Sequence, residues 1–591
     1  AGLAVIAQTL WRRRFHHLRS IPGPWLNSIS EIPAALALVN GDQHVYYQSL
    51  HEQYGPVVRV SPNELSFLSI EAREEIYGLR KGGLNMEKSP IFLGAVGKVD
   101  GATGVSLALN ADHARQRRAL GYLFTNSALL RFEPLMKLQV KKFIAVMQER
   151  TSQGKAVNVA SWYTYLAFDI MGDLCFAEPF GCLDQAANTE WSTSVINVFV
   201  AATWTQGIRR LSGTGTWLES LMTRVFVPAE AAEWRNTHLN NSRERTLRRL
   251  ANSDQDHADF IYHILNSDSK SSLSHSEIIL NVALFISAGT DTTATALTGW
   301  TYFVSTHPEV YRRLVEEVRG NLATEGDIRW EKVRHLRYLE ATIHEALRLF
   351  PPSPASQQRV VPPGGATIDG HYVPAGMTVA VPPWVSTHSA VHFYEPNAFR
   401  PERWLGEDQR YAKDHLNASL PFGTGPRVCI GRYLAYMEMR LITANLLWKF
   451  DIELDKERYG RENSVWGLDG NIKRMKVFHS MTKPDLWVNL TKVQRSPIIN
   501  HTDDLLGSSL IVLLSCSSNR VRGLKFTGSR TQLLSLLASE NSIRMVFSSI
   551  TSRGTFVSDE SRDFIGRTAV PPAPPSRPAL VIMVLWWLLP P

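Results

Sequence analysis

One short segment constrains this chain more than any other: a single cysteine in a glycine-rich loop directly before a predicted helix. Residues 421–435 read Pro-Phe-Gly-Thr-Gly-Pro-Arg-Val-Cys-Ile-Gly-Arg-Tyr-Leu-Ala. The glycines allow the backbone to fold tightly around the sulfur. The helix predicted from Gly431 onward puts Cys429 at a helix N-terminus, where free N–H groups stabilise a thiolate. Arg427 adds a fork-shaped donor that suits a carboxylate. The segment therefore predicts a thiolate ligand beside a carboxylate-binding arginine.

These two groups are what a haem requires, one for iron and the other for a propionate. Five positions conform to one pattern at once: Phe422, Gly425, Arg427, Cys429 and Gly431. The pattern resembles the Phe-x-x-Gly-x-Arg-x-Cys-x-Gly signature of the cytochrome P-450 family, the haem-thiolate monooxygenases. The resemblance implies haem b as cofactor, Cys429 as axial ligand of the iron, and Phe422 and Arg427 as cofactor-binding residues. It also implies a mainly α fold with small β-sheets (α+β), in which a long central helix crosses a triangular, helix-rich haem domain.

Composition agrees with a large folded protein and excludes several other classes. Of the 591 residues, 44% are hydrophobic and 20% are charged, which argues against a disordered, collagen-like or disulfide-scaffold chain. Four cysteines are too few for a disulfide framework and indicate a reducing compartment. The formal charge of +8 is spread along the chain and suits an anionic membrane or an acidic protein partner. Because no nucleic-acid-binding signature is present, nucleic acid is not an expected partner.

The N-terminal residues 1–20 are interpreted as the remnant of a membrane anchor with a basic flank. Ten mostly apolar residues precede Trp11 and three arginines, whereas a spanning helix needs about 20 apolar residues. The basic flank would hold the following domain on the cytosolic side. A surface helix with a basic end is the alternative. With the family resemblance, the anchor predicts the endoplasmic reticulum membrane, with the catalytic domain facing the cytosol.

Two further parts follow this segment. Residues 21–490 have the pattern of one compact haem domain, with strands expected at 65–68 and 378–381 and a helix from about Glu331 to Leu349. Residues 491–591 form a tail rich in serine and proline, of unknown function. A disordered functional tail and a gene-model artefact are both open interpretations, and the second is favoured.

The clearest helix begins at Ser274, which has capping-box spacing to Glu277, and stops before Pro308. Within it, residues 288–293 read Ala-Gly-Thr-Asp-Thr-Thr, poor helix formers between apolar flanks that imply burial. A threonine hydroxyl can bond back to the carbonyl four residues earlier, and Gly289 would leave a groove for dioxygen and water. A solvated polar patch is the alternative. The segment resembles the family's acid–alcohol motif, which implies that Asp291 and Thr292 are catalytic and deliver protons.

A second motif places Glu345 and Arg348 on one helix face, before Pro-Glu-Arg-Trp at 401–404. By spacing alone this is a surface ion pair, worth only tenths of a kcal/mol. The family carries the same Glu-x-x-Arg and Pro-Glu-Arg segments. The resemblance therefore implies a buried structural network of Glu345, Arg348 and Arg403 that fixes the backbone behind the cysteine loop.

Three more residues resemble the family's propionate ligands. His113 stands where the family has tryptophan in a Trp-x-x-x-Arg pattern, and Arg117 conforms. The imidazole retains a ring N–H that could reach a propionate. Arg359 follows the proline-rich segment at the place of a further family ligand. A basic helix face remains the alternative for His113 and Arg117.

The resemblance implies oxidation of a lipophilic small molecule with O2 and electrons from NADPH. Residues 54–64 and 168–173 resemble members from filamentous fungi that tailor secondary metabolites. Because no dinucleotide or phosphate-binding loop is found, a separate electron donor is expected, and the resemblance implies NADPH–cytochrome P-450 reductase, with cytochrome b5 as a further partner. A basic surface near Arg427 and Arg432 is expected to dock it. Substrate-contacting residues are expected from 85–110, 198–205, 285–292 and 352–356.

Two other functions stay open on sequence grounds. One is a P-450-fold enzyme that catalyses oxidative coupling, ring formation or rearrangement without net oxygen insertion. The other is a non-catalytic haem-binding sensor or carrier, which would not need the Asp291–Thr292 pair. NADPH consumption with product formation would separate these alternatives.

Overall fold

The computed structural model describes residues 11–494, with gaps at 13, 81, 83–84, 93–96, 253–258, 267–272, 460–464 and 467–471. Beyond 494 it describes the backbone of three short segments. The predicted apolar half of the anchor, residues 1–10, lies outside these ranges. The chain divides into two units, Ala1–Val493 and Gln494–Pro591. The first unit contains the predicted haem domain.

The first unit is mainly helical, so the predicted fold class is confirmed. Amphipathic and fully apolar helices pack around one another, and short 3-10 turns connect several of them. The α-helices are α1 (Trp25–Ile29), α2 (Ile32–Val39), α3 (Gln43–Tyr54), α4 (Ile70–Tyr77), α5 (Asn110–Gly121), α6 (Asn126–Ser152), α7 (Val159–Phe176), α8 (Cys182–Gln185), α9 (Glu190–Ser212), α10 (Trp217–Phe226), α11 (Ala229–Ala251), α12 (Phe260–Leu265), α13 (His275–Thr306), α14 (Pro308–Asn321), α15 (Trp330–Val333), α16 (Arg337–Leu349), α17 (Pro383–Thr387), α18 (Arg432–Lys449) and α19 (Lys456–Tyr459).

Helix α13 is the long central helix that the sequence predicts. Its 32 residues begin after Ser274, whose hydroxyl accepts the Glu277 N–H while the Glu277 carboxylate accepts the Ser274 N–H, so the predicted capping box is confirmed. The helix ends at Thr306, just before Pro308. It packs against α7, α11, α16 and α18, and most of its residues are buried. Among the described residues it is also the one helix long and apolar enough to cross a membrane, and 78% of its apolar window lies inside the protein.

The second predicted helix is interrupted. The structure has α15 and α16 in place of one helix from Glu331 to Leu349. Leu336 is extended between them, and the N–H groups of Tyr338 and Leu339 donate to the two carboxylate oxygens of Glu317 at 2.8 Å each. A side chain from α14 therefore caps a new helix start, which spacing within the segment alone does not reveal.

The strands of the first unit form one larger sheet and several small ones. The order of the larger sheet is β1-β2-β10-β7-β3, and a three-stranded sheet has the order β11-β14-β6. The predicted strands appear as β2 and β10, each ending one residue before its predicted end. The strands are β1 (Val57–Ser61), β2 (Glu64–Phe67), β3 (Glu87–Lys88), β4 (Lys98–Val99), β5 (Ala102–Thr103), β6 (Val157–Asn158), β7 (Arg359–Val360), β8 (Ala366–Ile368), β9 (His371–Val373), β10 (Thr378–Ala380), β11 (Phe450–Leu454), β12 (Val477–Phe478), β13 (Ser480–Met481) and β14 (Trp487–Lys492).

The unit Gln494–Pro591 includes three further strands, β15 (Leu510–Ser515), β16 (Val521–Phe526) and β17 (Arg544–Val546). They pair antiparallel in the order β16-β15-β17. Strand β14 of the first unit runs to Lys492, slightly past the predicted boundary at 490. The interpretation of 491–591 as a tail of unknown function or a gene-model artefact stays a prediction.

Candidate functional site

The cysteine loop folds tightly, and its glycines explain why. Gly425 has a φ of +70°, and a Cβ there would lie 1.9 Å from the Tyr77 carbonyl oxygen. The Cys429 N–H donates to the Phe422 carbonyl at 2.8 Å, which closes the loop. Helix α18 begins at Arg432, with Gly431 as its N-cap. The loop therefore holds Cys429 just before a helix N-terminus, as the sequence predicts.

The Cys429 side chain is exposed, but it faces an internal cavity rather than bulk water. Burial raises the pKa of the Cys429 thiol, and the Gly431 N–H and the charges of Arg117 and Arg432 only partly oppose that rise. The interpretation of Cys429 as a thiolate ligand stays a prediction, because the protein groups around the helix N-terminus offset the effect of burial only in part. A positively charged metal at the sulfur would supply the missing stabilisation.

The cavity has two adjoining lobes of about 250 and 320 Å³. Both lobes are lined by Cys429, Phe422, Thr292, Arg427 and Lys88. All four segments predicted to contact substrate contribute to the walls. Wall residues that the sequence did not indicate include Phe124, Met171, Leu347, Glu438, His479 and Ser480.

A cluster of cations surrounds one side of this cavity. Arg427 donates through Nη2 to Glu87 at 3.2 Å and to the Ala108 carbonyl at 2.8 Å. Its Nε and Nη1 atoms are buried without a hydrogen-bond partner among the described residues. The Arg427 side chain is only 9% exposed, so the reductase-docking surface predicted near Arg427 and Arg432 does not include Arg427 itself and otherwise stays a prediction. Arg432 remains partly exposed at the start of α18.

The other predicted propionate ligands lie around the same cavity. His113 and Arg117 on α5 line the first lobe, and Arg359 on β7 lines the second. Burial lowers the pKa of Arg117 and of Arg359. The pKa of His113 falls to about 4, first through burial and then through the charge of Arg427.

Arg117 and Arg359 contact no carboxylate among the described residues, and Arg427 keeps two buried nitrogens without a partner, so this cluster calls for an anionic ligand. The unpartnered Arg427 nitrogens, the cations across the cavity and the sulfur of Cys429 together fit a haem, whose propionates and iron supply the complementary groups. The residues present therefore match the cofactor implied by the sequence.

The acid and the alcohol of α13 have different surroundings. Thr292 Oγ1 donates to the Ala288 carbonyl at 2.6 Å, which confirms the predicted back-bond, and Thr292 lines both lobes. Asp291 is buried and accepts a hydrogen bond from Lys483, which lies between β13 and β14. Asp291 is absent from the lining of either lobe. Lys483 carries no signal in the sequence, because only the fold brings it to α13.

The predicted groove at Gly289 is filled on one side. A Cβ at Gly289 would lie 2.5 Å from Sδ of Met171 on α7. Gly289 is therefore required for close packing of α13 on α7, although it also lines the first lobe. Met171 narrows the groove on one side and Gly289 still lines the first lobe, so a groove for dioxygen and water stays a prediction.

Glu345, Arg348 and Arg403 are brought together in the protein interior, and their side chains are fully buried. The Glu345 Oε1 atom accepts from Arg348 Nη2 at 2.8 Å and from Arg403 Nε at 2.9 Å. Arg348 also donates to three carbonyl groups between 387 and 398, and Trp404 Nε1 donates to Glu345 Oε2 at 2.8 Å. Every charge in the network is thereby paired.

Glu438 is a buried carboxyl group that the sequence did not single out. It lies on α18, lines the first lobe and accepts a hydrogen bond from Thr293 Oγ1 at 3.0 Å. Its second oxygen, Oε1, has no partner among the described residues. Burial raises the pKa of Glu438 to about 8. A proton is therefore held beside the cavity at neutral pH.

This raised pKa predicts a pH-dependent stability. The pKa of Glu438 in the folded protein lies above the unfolded value of about 4.3. The stabilisation that Glu438 contributes is therefore complete below about pH 4.3 and is lost as pH rises through about 8. We expect the free energy of unfolding of the wild type to fall, relative to Glu438→Gln, by on the order of 4 kcal/mol between about pH 5 and pH 9. Urea unfolding at several pH values measures this difference. The control is Glu309→Gln, at an exposed position, and the difference in unfolding free energy between the wild type and this variant should not change with pH. If the wild type and Glu438→Gln give parallel pH profiles, the assignment of Glu438 is contradicted.

Comparison with known proteins finds relatives in the family that the sequence resembles. The cytochrome P-450 family model matches residues 22–467. Cytochrome P-450 monooxygenase aba2 of Botryotinia fuckeliana is 57% identical over 495 residues, which covers 83% of this chain and 94% of the relative. ABA2 of Pyricularia oryzae is 52% identical over 498 residues, covering 83% and 95%. AstJ of Aspergillus oryzae, also named a cytochrome P-450 monooxygenase, is 39% identical over 476 residues, covering 78% and 93%.

The fold and the family match together place this protein in the class of haem-dependent oxidoreductases. The chain belongs to the cytochrome P-450 family, and it is a monooxygenase that uses haem b, O2 and electrons that a reductase supplies from NADPH. Its relatives are fungal, in agreement with the resemblance to secondary-metabolite enzymes.

Proposed function

We propose that this protein hydroxylates or otherwise oxidises a lipophilic small molecule in fungal secondary-metabolite biosynthesis, with Cys429 as the axial ligand of the haem iron. The observation that carries this proposal is the position of Cys429, which opens into a largely apolar cavity bordered by the cations Arg117, Arg359 and Arg427. When bound, haem supplies the activation of O2, and thiolate ligation favours cleavage of the O–O bond.

Protein residues hold the cofactor in this proposal. Arg117, Arg359 and Arg427 bind the propionates by charge-assisted hydrogen bonds, and His113 contributes a neutral ring N–H. Phe422 lines both lobes and packs against Tyr436, with ring centroids 5.0 Å apart, so it shields the cysteine side of the site from water.

Proton delivery is assigned to α13. The Thr292 hydroxyl faces the cavity and can hold a proton donor there, while the Asp291 carboxylate lies one residue away in contact with Lys483. The Lys483 ammonium positions this carboxylate. Release of Asp291 from Lys483 would let it take up a proton from outside and pass it toward Thr292.

Replacing Thr292 tests this role. We expect Thr292→Ala to lower product formed per NADPH by roughly tenfold or more and to raise hydrogen peroxide, since positioned proton donors contribute about 10²- to 10⁴-fold and water can partly substitute. Parallel assays of NADPH, product and peroxide measure the change. Thr298→Ala is a matched control, because Thr298 makes the same back-bond, to Ala294 at 2.7 Å, but does not line the cavity. Equal effects of both variants would indicate a helix defect.

We also propose attachment to the endoplasmic reticulum membrane, with the catalytic domain in the cytosol. The basic segment after Trp11 supports this proposal, as does α10, which has no buried residue and exposes Trp217, Leu221, Val225 and Phe226. Electrons would come from NADPH–cytochrome P-450 reductase, with cytochrome b5 as a second donor.

The whole proposal is tested by co-expression with the reductase under isotopically labelled dioxygen. We expect substrate-dependent NADPH consumption and one labelled oxygen atom in the product. An oxidised product without label would favour coupling, ring formation or rearrangement. Haem binding without any NADPH-dependent product from a broad lipophilic library would favour a sensor or carrier.

A further inference from the structure

The turn between β12 and β13 places a histidine where the backbone favours glycine. His479 alone connects the two strands, since Phe478 pairs with Ser480, and its φ is +66°. A residue with a Cβ is uncommon in this left-handed region, and such conformations cluster at ligand-binding sites, where the surrounding structure holds them. Here the Ser480 hydroxyl and the Met481 N–H both donate to the Pro352 carbonyl, at 3.1 and 2.8 Å, and fix the turn.

The ring of His479 forms part of the wall of the second lobe. It stacks on Phe199, with ring centres 5.4 Å apart, and its centre lies 5.3 Å from that of Phe92. Both phenylalanines line the same lobe. Their rings hold the imidazole by packing but offer no hydrogen bond in its plane. Among the described residues, neither nitrogen atom of the His479 ring has a hydrogen-bond partner.

At neutral pH this imidazole is uncharged. Burial and the charge of Lys88 lower the pKa of His479 to about 4, and the charge of Asp291 opposes this only in part. The ring therefore carries one N–H donor and one acceptor nitrogen. Unused polar groups facing a largely apolar cavity cost free energy unless a ligand pairs with them.

Hydroxyl groups near His479 are already used inside the protein. Four of them line the second lobe and donate to backbone carbonyl groups at 2.6 to 3.4 Å, namely those of Thr292, Ser353, Ser386 and Ser480. The Ser353 hydroxyl donates to the carbonyl of His479 itself. An oxygen atom of a ligand therefore finds an uncommitted polar partner in the His479 ring, beside an aromatic surface.

We propose that His479 determines substrate specificity by hydrogen-bonding a hydroxyl or carbonyl oxygen, so that this enzyme acts on lipophilic molecules that already carry an uncharged oxygen function. The carbon skeleton of the substrate lies along Phe92 and Phe199. This inference rests on the proposed function and names its substrate class. Among the described residues, no hydrogen bond or ring contact joins His479 to Arg359 or Arg427. An uncharged ring also suits a neutral oxygen better than a haem propionate.

Titration of the purified holoenzyme tests the proposal, with the haem absorption shift on binding as the readout. The probes are alcohols paired with their hydrocarbons: 1-naphthaleneethanol with 1-ethylnaphthalene, 2-decalol with decalin, and 1-dodecanol with dodecane. We expect His479→Phe to weaken the binding of at least one alcohol about three- to tenfold, because the loss of one neutral hydrogen bond has roughly that effect. The affinity for the paired hydrocarbon should change less than about twofold, since phenylalanine retains a ring of similar size.

His479→Gly provides a second variant, because the left-handed turn favours glycine, and it should also lose the contact with the alcohol. The control is His371→Phe, at an exposed position on β9 outside the cavity lining, which should bind every probe as the wild type does. Equal weakening of alcohol and hydrocarbon, no weakening of either, or no binding of any alcohol to the wild type overturns the proposal. Loss of haem from both His479 variants would indicate a structural role and also overturns it.

The reduced carbon monoxide spectrum of the wild type distinguishes this failure from that of the proposed function. Without a long-wavelength Soret band the proposed function itself fails. With the band present, only the substrate class is at issue.

Discussion

Cys429→Ser is expected to remove the long-wavelength Soret band of the reduced carbon monoxide complex and to abolish product formation. The sulfur opens into the cavity, and serine is a far weaker electron donor that does not supply a thiolate. Difference spectroscopy of purified wild type and variant measures the band, and a reductase-coupled assay measures turnover.

Cys182→Ala provides the control. Cys182 is buried in the core, away from the cavity, and burial raises the pKa of its thiol. This variant should keep the Soret position, with at most a loss of stability. A Cys429→Ser protein with an unchanged spectrum would overturn the assignment of the axial ligand and with it the proposed function.

Glu345→Ala is expected to destabilise the haem domain by about 3–5 kcal/mol, because it leaves the buried guanidinium group of Arg348 without a carboxylate, while Arg403 keeps only Asp414. Against a typical unfolding free energy of about 5–15 kcal/mol, this loss would leave little folded protein. We expect low recovery of holoenzyme and a clear fall in the urea midpoint. A spectrally normal protein with wild-type stability would contradict the structural role.

The chain offers a matched control with the same spacing. Glu309 and Arg312 also form an i, i+3 pair, at 3.0 Å, but their side chains are 86% and 64% exposed. Solvated pairs of this type contribute about 0–1 kcal/mol. Glu309→Ala should therefore change the urea midpoint little, and the contrast isolates burial as the cause.

Structural features that depend on neighbouring residues could be predicted from the sequence, and the cysteine loop is an example. The positive φ of Gly425 and the capping box at Ser274 depend on neighbouring residues, so both follow from spacing, although the contact of Gly425 with the Tyr77 carbonyl comes from the fold. The break between α15 and α16 does not, because Glu317 from another helix caps the new start. Arg427 lines the cavity, where its motif predicted a cofactor-binding residue, whereas its low exposure could not be predicted from spacing.

The site residues likewise divide into those that sequence motifs predicted and those that only the fold brings to the site. Thr292 and Arg117 were found because their motifs have fixed spacing, and the structure places both at the cavity. Lys88 was predicted only as part of the wall segment 85–110, and Glu438 and Lys483 were missed, since each is a common residue type in a segment without a motif. Their roles depend on what they face: an aromatic wall, a buried hydroxyl group and a buried carboxylate.

The sequence by itself determined the family, the cysteine that opens into the cavity, the long central helix and most of the walls of the site. Each of these depends on side chains at short, fixed separations along the chain. Only the tertiary structure decided which charges are paired, which are buried, and which polar groups face the cavity. Electrostatic energies depend on distance and solvent exposure in space, and those are set by elements that lie hundreds of residues apart.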